Sequence, residues 1–171
     1  MAVFLSAGHS LTDPGAVANG RKEADIAVDF RNMVALYLDR AGIPVVTDGS
    51  QKDNWPLKQA AAEARKHKIA VEFHCNAASP SATGVETLQG DSDFALGQSI
   101  CDAISVQLGI KNRGAKPENS GQHHRLAFVQ AGGIIVELFF ITNLSDLAAY
   151  DAKKWLAARA VAEVLEDAYR A

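Results

Sequence analysis

Apolar positions along the chain alternate between short β-branched runs and longer stretches with helical spacing. Val3-Phe4-Leu5 reads as a first strand ending in Ala7-Gly8-His9, and Asp13-Pro14-Gly15 supplies a turn. From Ala24 to Ala41, Ile26, Phe30, Met33, Val34, Tyr37 and Leu38 recur with the spacing of a helix face. Gly42 closes that helix, with Pro44 just beyond it. Ile43 to Thr47 follows as a β-branched strand. Asn54 is placed to cap a second helix, with Pro56 near its first turn and an end at about His67. Ile69 to Phe73 is the next strand and delivers His74 at its end, and Val85 to Leu88 is a fourth. A helix from Asp93 to Leu108 precedes a polar stretch from Lys111 to His124 that shows no period. Ile134-Ile135-Val136, within Gly132 to Leu138, is apolar on both faces, as a central strand requires. Ser145 to Tyr169 is a final helix, with Trp155, Leu156, Val161, Val164 and Leu165 for packing.

This alternation predicts a single-domain α/β fold, a mainly parallel twisted sheet with helices on both faces. Residues 1–171 form one domain in this reading, without repeat or linker, and the length is enough to bury a core. No apolar run approaches the roughly 20 residues that cross a bilayer, which argues against membrane insertion. The start, Met1 to Ser6, lacks a basic region and reads as strand rather than signal peptide, so synthesis in the cytoplasm is expected. A net charge of -3 with no basic stripe argues against a nucleic-acid partner. Two cysteines, Cys75 and Cys101, are too few for a disulfide scaffold.

In open α/β sheets, sites gather at the carboxyl ends of strands. His9, His74 and Glu137 stand there, and Glu23 opens the first long helix. Two imidazoles and a carboxylate suit a catalytic zinc ion with an open position, and a further carboxylate suits proton transfer. The same residues also read as a loop cap, a hydrogen-bonded strand end and an arginine partner, because no HExxH clusters the ligands. Spacing alone leaves both readings open.

Longer motifs carry a resemblance. Ala7-Gly8-His9-Ser10 with Thr12-Asp13-Pro14-Gly15-Ala16 resembles the GHG…DPGA opening of zinc-dependent N-acetylmuramoyl-L-alanine amidases. Glu23 matches the glutamate that follows, and Phe73-His74-Cys75-Asn76-Ala77 resembles the S-hydrophobic-HxNA segment. Gly84-Val85-Glu86, the Asn112-Arg113-Gly114-Ala115-Lys116 loop, and Val136 to Asn143 followed by Asp146 resemble the GVE, RGxK and VExGFxxN…D segments in the family's order. Ser10, Asp48 and Phe139 depart from it, standing where the family has glycine, arginine and glycine. The resemblance implies a phosphorylase/hydrolase-like α/β fold and hydrolysis of the amide between N-acetylmuramic acid and L-alanine in peptidoglycan. It further implies that His9, Glu23 and His74 bind one zinc ion and that Glu137 is the catalytic acid/base.

Rival roles remain in view. Glu72 and Glu86 are alternative acids; Glu72 shares a strand face with His74, and a structural role supporting that residue is expected for it. Cys75 beside His74 invites a cysteine-hydrolase reading, although strand alternation points the two side chains to opposite faces. Arg113, Lys116 and Arg125 are candidates to hold stem-peptide carboxylates, and His123 or His124 to polarise the scissile carbonyl, against a plain solvated loop. A non-catalytic wall-binding module and a zinc peptidase for another wall amide are the alternative functions. The expected setting is a monomeric bacteriophage endolysin, made without a signal peptide and acting on the wall from the periplasm at lysis.

Overall fold

The computed structural model describes residues 2–50, 53–121 and 125–171. Its main sheet has six strands: β1 (Val3–Ala7), β4 (Val45–Thr47), β5 (Ile69–Asn76), β6 (Val85–Gln89), β7 (Asn112–Pro117) and β8 (Ile134–Phe140). Their spatial order is β4-β1-β5-β8-β6-β7. β4, β1, β5 and β8 run parallel, whereas β6 is antiparallel to β8 and parallel to β7. The expected mainly parallel sheet is therefore present, with two strands reversed at one side. That reversal puts the N-terminal end of β6 beside the C-terminal ends of β5 and β8. A two-stranded hairpin, β2 (Val17–Ala18) and β3 (Arg21–Lys22), stands apart from the sheet.

Alternation along the strands divides the core in two. Val3, Leu5, Val71, Phe73, Val136 and Leu138 face the larger cluster. That cluster is completed by α1 (Glu23–Arg40), α3 (Phe94–Leu108) and α5 (Leu144–Arg170). Phe4, Ala70, Leu88 and Ile135 face the other way, under α2 (Leu57–Ala64) and α4 (Ala127–Gln130). Helices thus cover both faces, and the four-residue α4 sets Phe128 and Val129 in one cluster with Leu88 and Ile135.

Several expected boundaries are corrected. Asn54 does not cap α2: Pro56 occupies the N-cap, and the Asn54 amide instead donates to the carbonyls of Ala7 and His9. The helix ends at Ala64 rather than near His67, because His67 turns back to bond the Ala2 carbonyl and stack on Phe4. The polar stretch after Lys111 contains β7, an edge strand whose half-exposed side chains show no apolar alternation. Among the described residues no helix is long and apolar enough to cross a membrane.

Candidate metal centre and active site

His9 follows β1 with a left-handed backbone (φ 65°), which turns its ring back over the strand ends. Its Nδ1 lies 3.2 Å from Asp13 Oδ2 and its Nε2 lies 3.1 Å from Glu23 Oε1. The β2–β3 hairpin, turned by Asn19-Gly20 with both φ values positive, delivers Glu23 as the first residue of α1. Glu23 Oε2 accepts the Ala16 N–H and Oε1 accepts the Cys75 N–H, which fixes the carboxylate. His74, near the end of β5, directs Nδ1 to Glu23 Oε1 at 3.0 Å and Nε2 to Glu72 Oε1 at 3.0 Å. One donor atom from each of His9, Glu23 and His74 lies within 4.8 Å of the others. The sequence reading of these three as a set is thereby given a geometry.

Burial alone would raise the Glu23 pKa, but hydrogen bonds from His74 and His9 hold it well below the ordinary carboxylate range. Burial likewise opposes charge on His74, yet Glu23 and Glu72 outweigh it and its pKa is well above the ordinary value. A cluster of this kind, with two imidazole nitrogens turned to one carboxylate oxygen, has the donor set that can hold a divalent cation. Two glycines make it possible. A Cβ on Gly8 would stand 2.1 Å from the His74 ring, and one on Gly15 2.5 Å from His9 and 2.6 Å from Glu23 Oε2.

Glu137 is paired in register with His74 on β5 and with Glu86 on β6, so all three project from one sheet face. Its Oε2 is buried and has no hydrogen-bond partner among the described residues. Burial raises its pKa to about 7, with His74 pulling it down and Glu23 and Glu86 pushing it up. Glu86 has the opposite character: ion pairs with Arg113 and Lys116, each at 2.5 Å, outweigh burial and lower its pKa. It also accepts from Asn76 Nδ2 at 2.8 Å, and Arg113 lies over the Phe140 ring. Glu86 is thus a tethered anion, unlike Glu137 with its unpartnered Oε2.

An open cleft of ≈ 610 Å³ joins His9, Glu23, His74 and Glu137 to Glu86 and Arg113. Arg125 is exposed and bonds Gln130, and it does not line this cleft. His123 and His124 lie outside the described residues. Cys75 points into the large core, where burial drives its thiol pKa well up, which removes the cysteine nucleophile. Asp146, at the end of the last motif, accepts from Thr83, Gly84 and Phe140, and Asn143 caps α5. Those two residues hold the ends of β6 and β8 together rather than entering the chemistry. Phe139 packs fully buried against Tyr150, so the departure from glycine there is absorbed by the core.

A family model described as N-acetylmuramoyl-L-alanine amidase matches residues 3–167. The chain belongs to the N-acetylmuramoyl-L-alanine amidase family. A crystal structure of a Neisseria meningitidis protein assigned as such an amidase superposes with a TM-score of 0.91 at 44% identity, covering 99% of this chain and 96% of that one. The amidase LytC of Bacillus subtilis is 27% identical over 84% of this chain, and the endolysin of Bacillus phage SPP1 is 30% identical over 85%. This amidase-family chain spans 30% of LytC and 57% of that endolysin. Asp13, the carboxylate behind His9, was not singled out by sequence reading, whereas Glu72, behind His74, was weighed there as a rival acid with a supporting role. Asp13 four residues after His9, and Glu72 two before His74 on one strand face, were the available signals.

Proposed function

We propose that this chain hydrolyses the amide between N-acetylmuramic acid and L-alanine in peptidoglycan, with one zinc ion held by His9, Glu23 and His74. The observation that carries the reading is the convergence of those three donor atoms beside a buried, unpartnered carboxylate oxygen on Glu137. When bound, zinc would supply Lewis acidity toward the scissile carbonyl and would acidify water.

The remaining chemistry belongs to the chain. Glu137, with a pKa near neutrality, takes a proton from the attacking water. As the carbon–nitrogen bond breaks, the same carboxyl returns that proton to the alanine nitrogen, which cannot leave as an anion. Water is consumed, a lactyl carboxylic acid and a free amine are formed, and Glu137 is regenerated. Arg113, which lines the cleft, and Lys116, paired with the same Glu86 carboxylate, would draw stem-peptide carboxylates.

Retention of all four chemical residues favours catalysis over a wall-binding module. We further propose that the chain acts as a monomeric lytic enzyme on the wall, as an endolysin does; its similarity to the SPP1 endolysin supports this setting. Mass spectrometry of peptidoglycan digested with and without chelator tests the whole reading. Free L-alanine amino termini should appear only without chelator. Glu137→Gln should lower turnover by at least about 10²-fold with zinc still bound. Cleavage at another bond, or normal turnover in that variant, refutes it.

A further inference from the structure

Behind His74 lies a buried chain of polar groups that the proposed reaction does not use. Glu72 Oε1 faces His74 Nε2 at 3.0 Å, and its Oε2 accepts from Ser6 Oγ at 2.8 Å. Ser6 Oγ is also 2.9 Å from Asp48 Oδ2, and Asp48 Oδ1 meets Arg31 Nη1 at 2.6 Å. The Ala7 N–H donates to the same Asp48 oxygen. Every member is buried, Arg31, Ser6 and Asp48 completely so. The sheet register places Ser6 opposite Glu72 on neighbouring parallel strands, and alternation puts Glu72 and His74 on one face of β5.

We infer that Glu72 is the positioning residue for His74, anchored through Ser6 to the Arg31–Asp48 pair, and that it raises the affinity of the site for a divalent cation. The inference rests on the metal-site reading above. An imidazole can present only one lone pair, and an acceptor at one nitrogen decides which nitrogen keeps its proton. Glu72 at Nε2 leaves Nδ1 for the cation, the nitrogen that faces Glu23. The other histidine is arranged in the reverse sense, Nε2 inward and Nδ1 on Asp13. The two supports differ in burial, since Asp13 is exposed and Glu72 is not. Water replaces a lost exposed acceptor but not a buried one, so Glu72 carries the larger effect.

A proton-shuttling role for Glu72 is disfavoured because both of its oxygens are engaged, unlike Glu137 Oε2.

Zinc affinity measured by competition with a chromophoric chelator tests this without reference to turnover. Glu72→Ala should weaken binding about 10–100-fold and the isosteric Glu72→Gln about 10-fold. Asp13→Asn and Ser6→Ala should each lose less than Glu72→Ala. Long-range proton–nitrogen spectra of the zinc-loaded protein should show His74 protonated at Nε2 and ligated through Nδ1. Unaltered zinc affinity in a folded Glu72→Gln, or ligation of His74 through Nε2, overturns the inference while the metal site stands. A wild-type protein that binds no zinc defeats the metal-site reading itself, and this inference with it.

Discussion

Gly15→Ala tests whether the cluster is built by close packing rather than by loose proximity. Gly15 has a φ of +64°, which costs an alanine about 1 kcal/mol or somewhat more. The larger effect is steric. The added carbon would stand 2.5 Å from His9 Cδ2 and 2.6 Å from Glu23 Oε2, against about 3.5–4.0 Å for an ordinary carbon contact. Ring and carboxylate must therefore separate by roughly 1 Å, when metal ligands tolerate about 0.2 Å. Because a misplacement of that size costs about 10²-fold in rate, turnover should fall at least that far. Zinc affinity should fall by a comparable factor. Metal-free stability should change by only about 1–3 kcal/mol, since the loop can yield into solvent. Chelator competition, muropeptide turnover and denaturant unfolding measure the three quantities on one preparation. Wild-type zinc affinity and rate in a folded Gly15→Ala protein would refute the steric argument.

Three further outcomes are expected. In the metal-free protein Glu137 keeps its proton up to about pH 7, while the unfolded chain loses it near 4.5. The folded state then binds more protons between those values, so this group lowers stability as pH rises through them, by about 3 kcal/mol in all. Metal-free Glu137→Gln should match the wild type near pH 4 and exceed it near pH 8 in urea unfolding. Arg31→Met leaves buried Asp48 without its cation and should cost about 3–5 kcal/mol in the same assay. Iodoacetamide should leave amide hydrolysis unchanged in the native protein, because Cys75 is buried with a raised pKa; inactivation that follows Cys75 labelling would revive a thiol mechanism.

The sequence was most informative where period and chemistry coincide. β5 alternates Val71, Phe73 and Cys75 toward the large core with Glu72, His74 and Asn76 toward the other face. His74 and the fate of Cys75 could therefore be read directly. Strong apolar runs likewise located β1, β8, α1 and α5. Edge and connecting pieces were harder. β7 is polar, holds Gly114 in a left-handed conformation and ends in Pro117, so no alternation marks it. The β2–β3 hairpin left a usable trace in Asn19-Gly20, a strong turn dipeptide that went unread. The polar network behind His74 was legible only in part. Glu72 shares a face with His74 by simple alternation, but its link to Ser6 depends on strand order. Arg31–Asp48 depends on how α1 lies across the sheet. Such long-range pairings have no local signature, and Asn54 illustrates the cost: a residue typical of a helix cap is used instead to tie the His9 loop to the chain.

The openness of the cleft bears on how a polymer is handled. Beside Glu137 its wall includes Ile135 and Leu88, which pack in one cluster with Phe128 and Val129 of α4. An open trough admits a strand laid in from above, whereas a tunnel would demand that a terminus be threaded. Cross-linked wall material offers few termini, so cutting can begin at interior points of the mesh wherever the trough can settle.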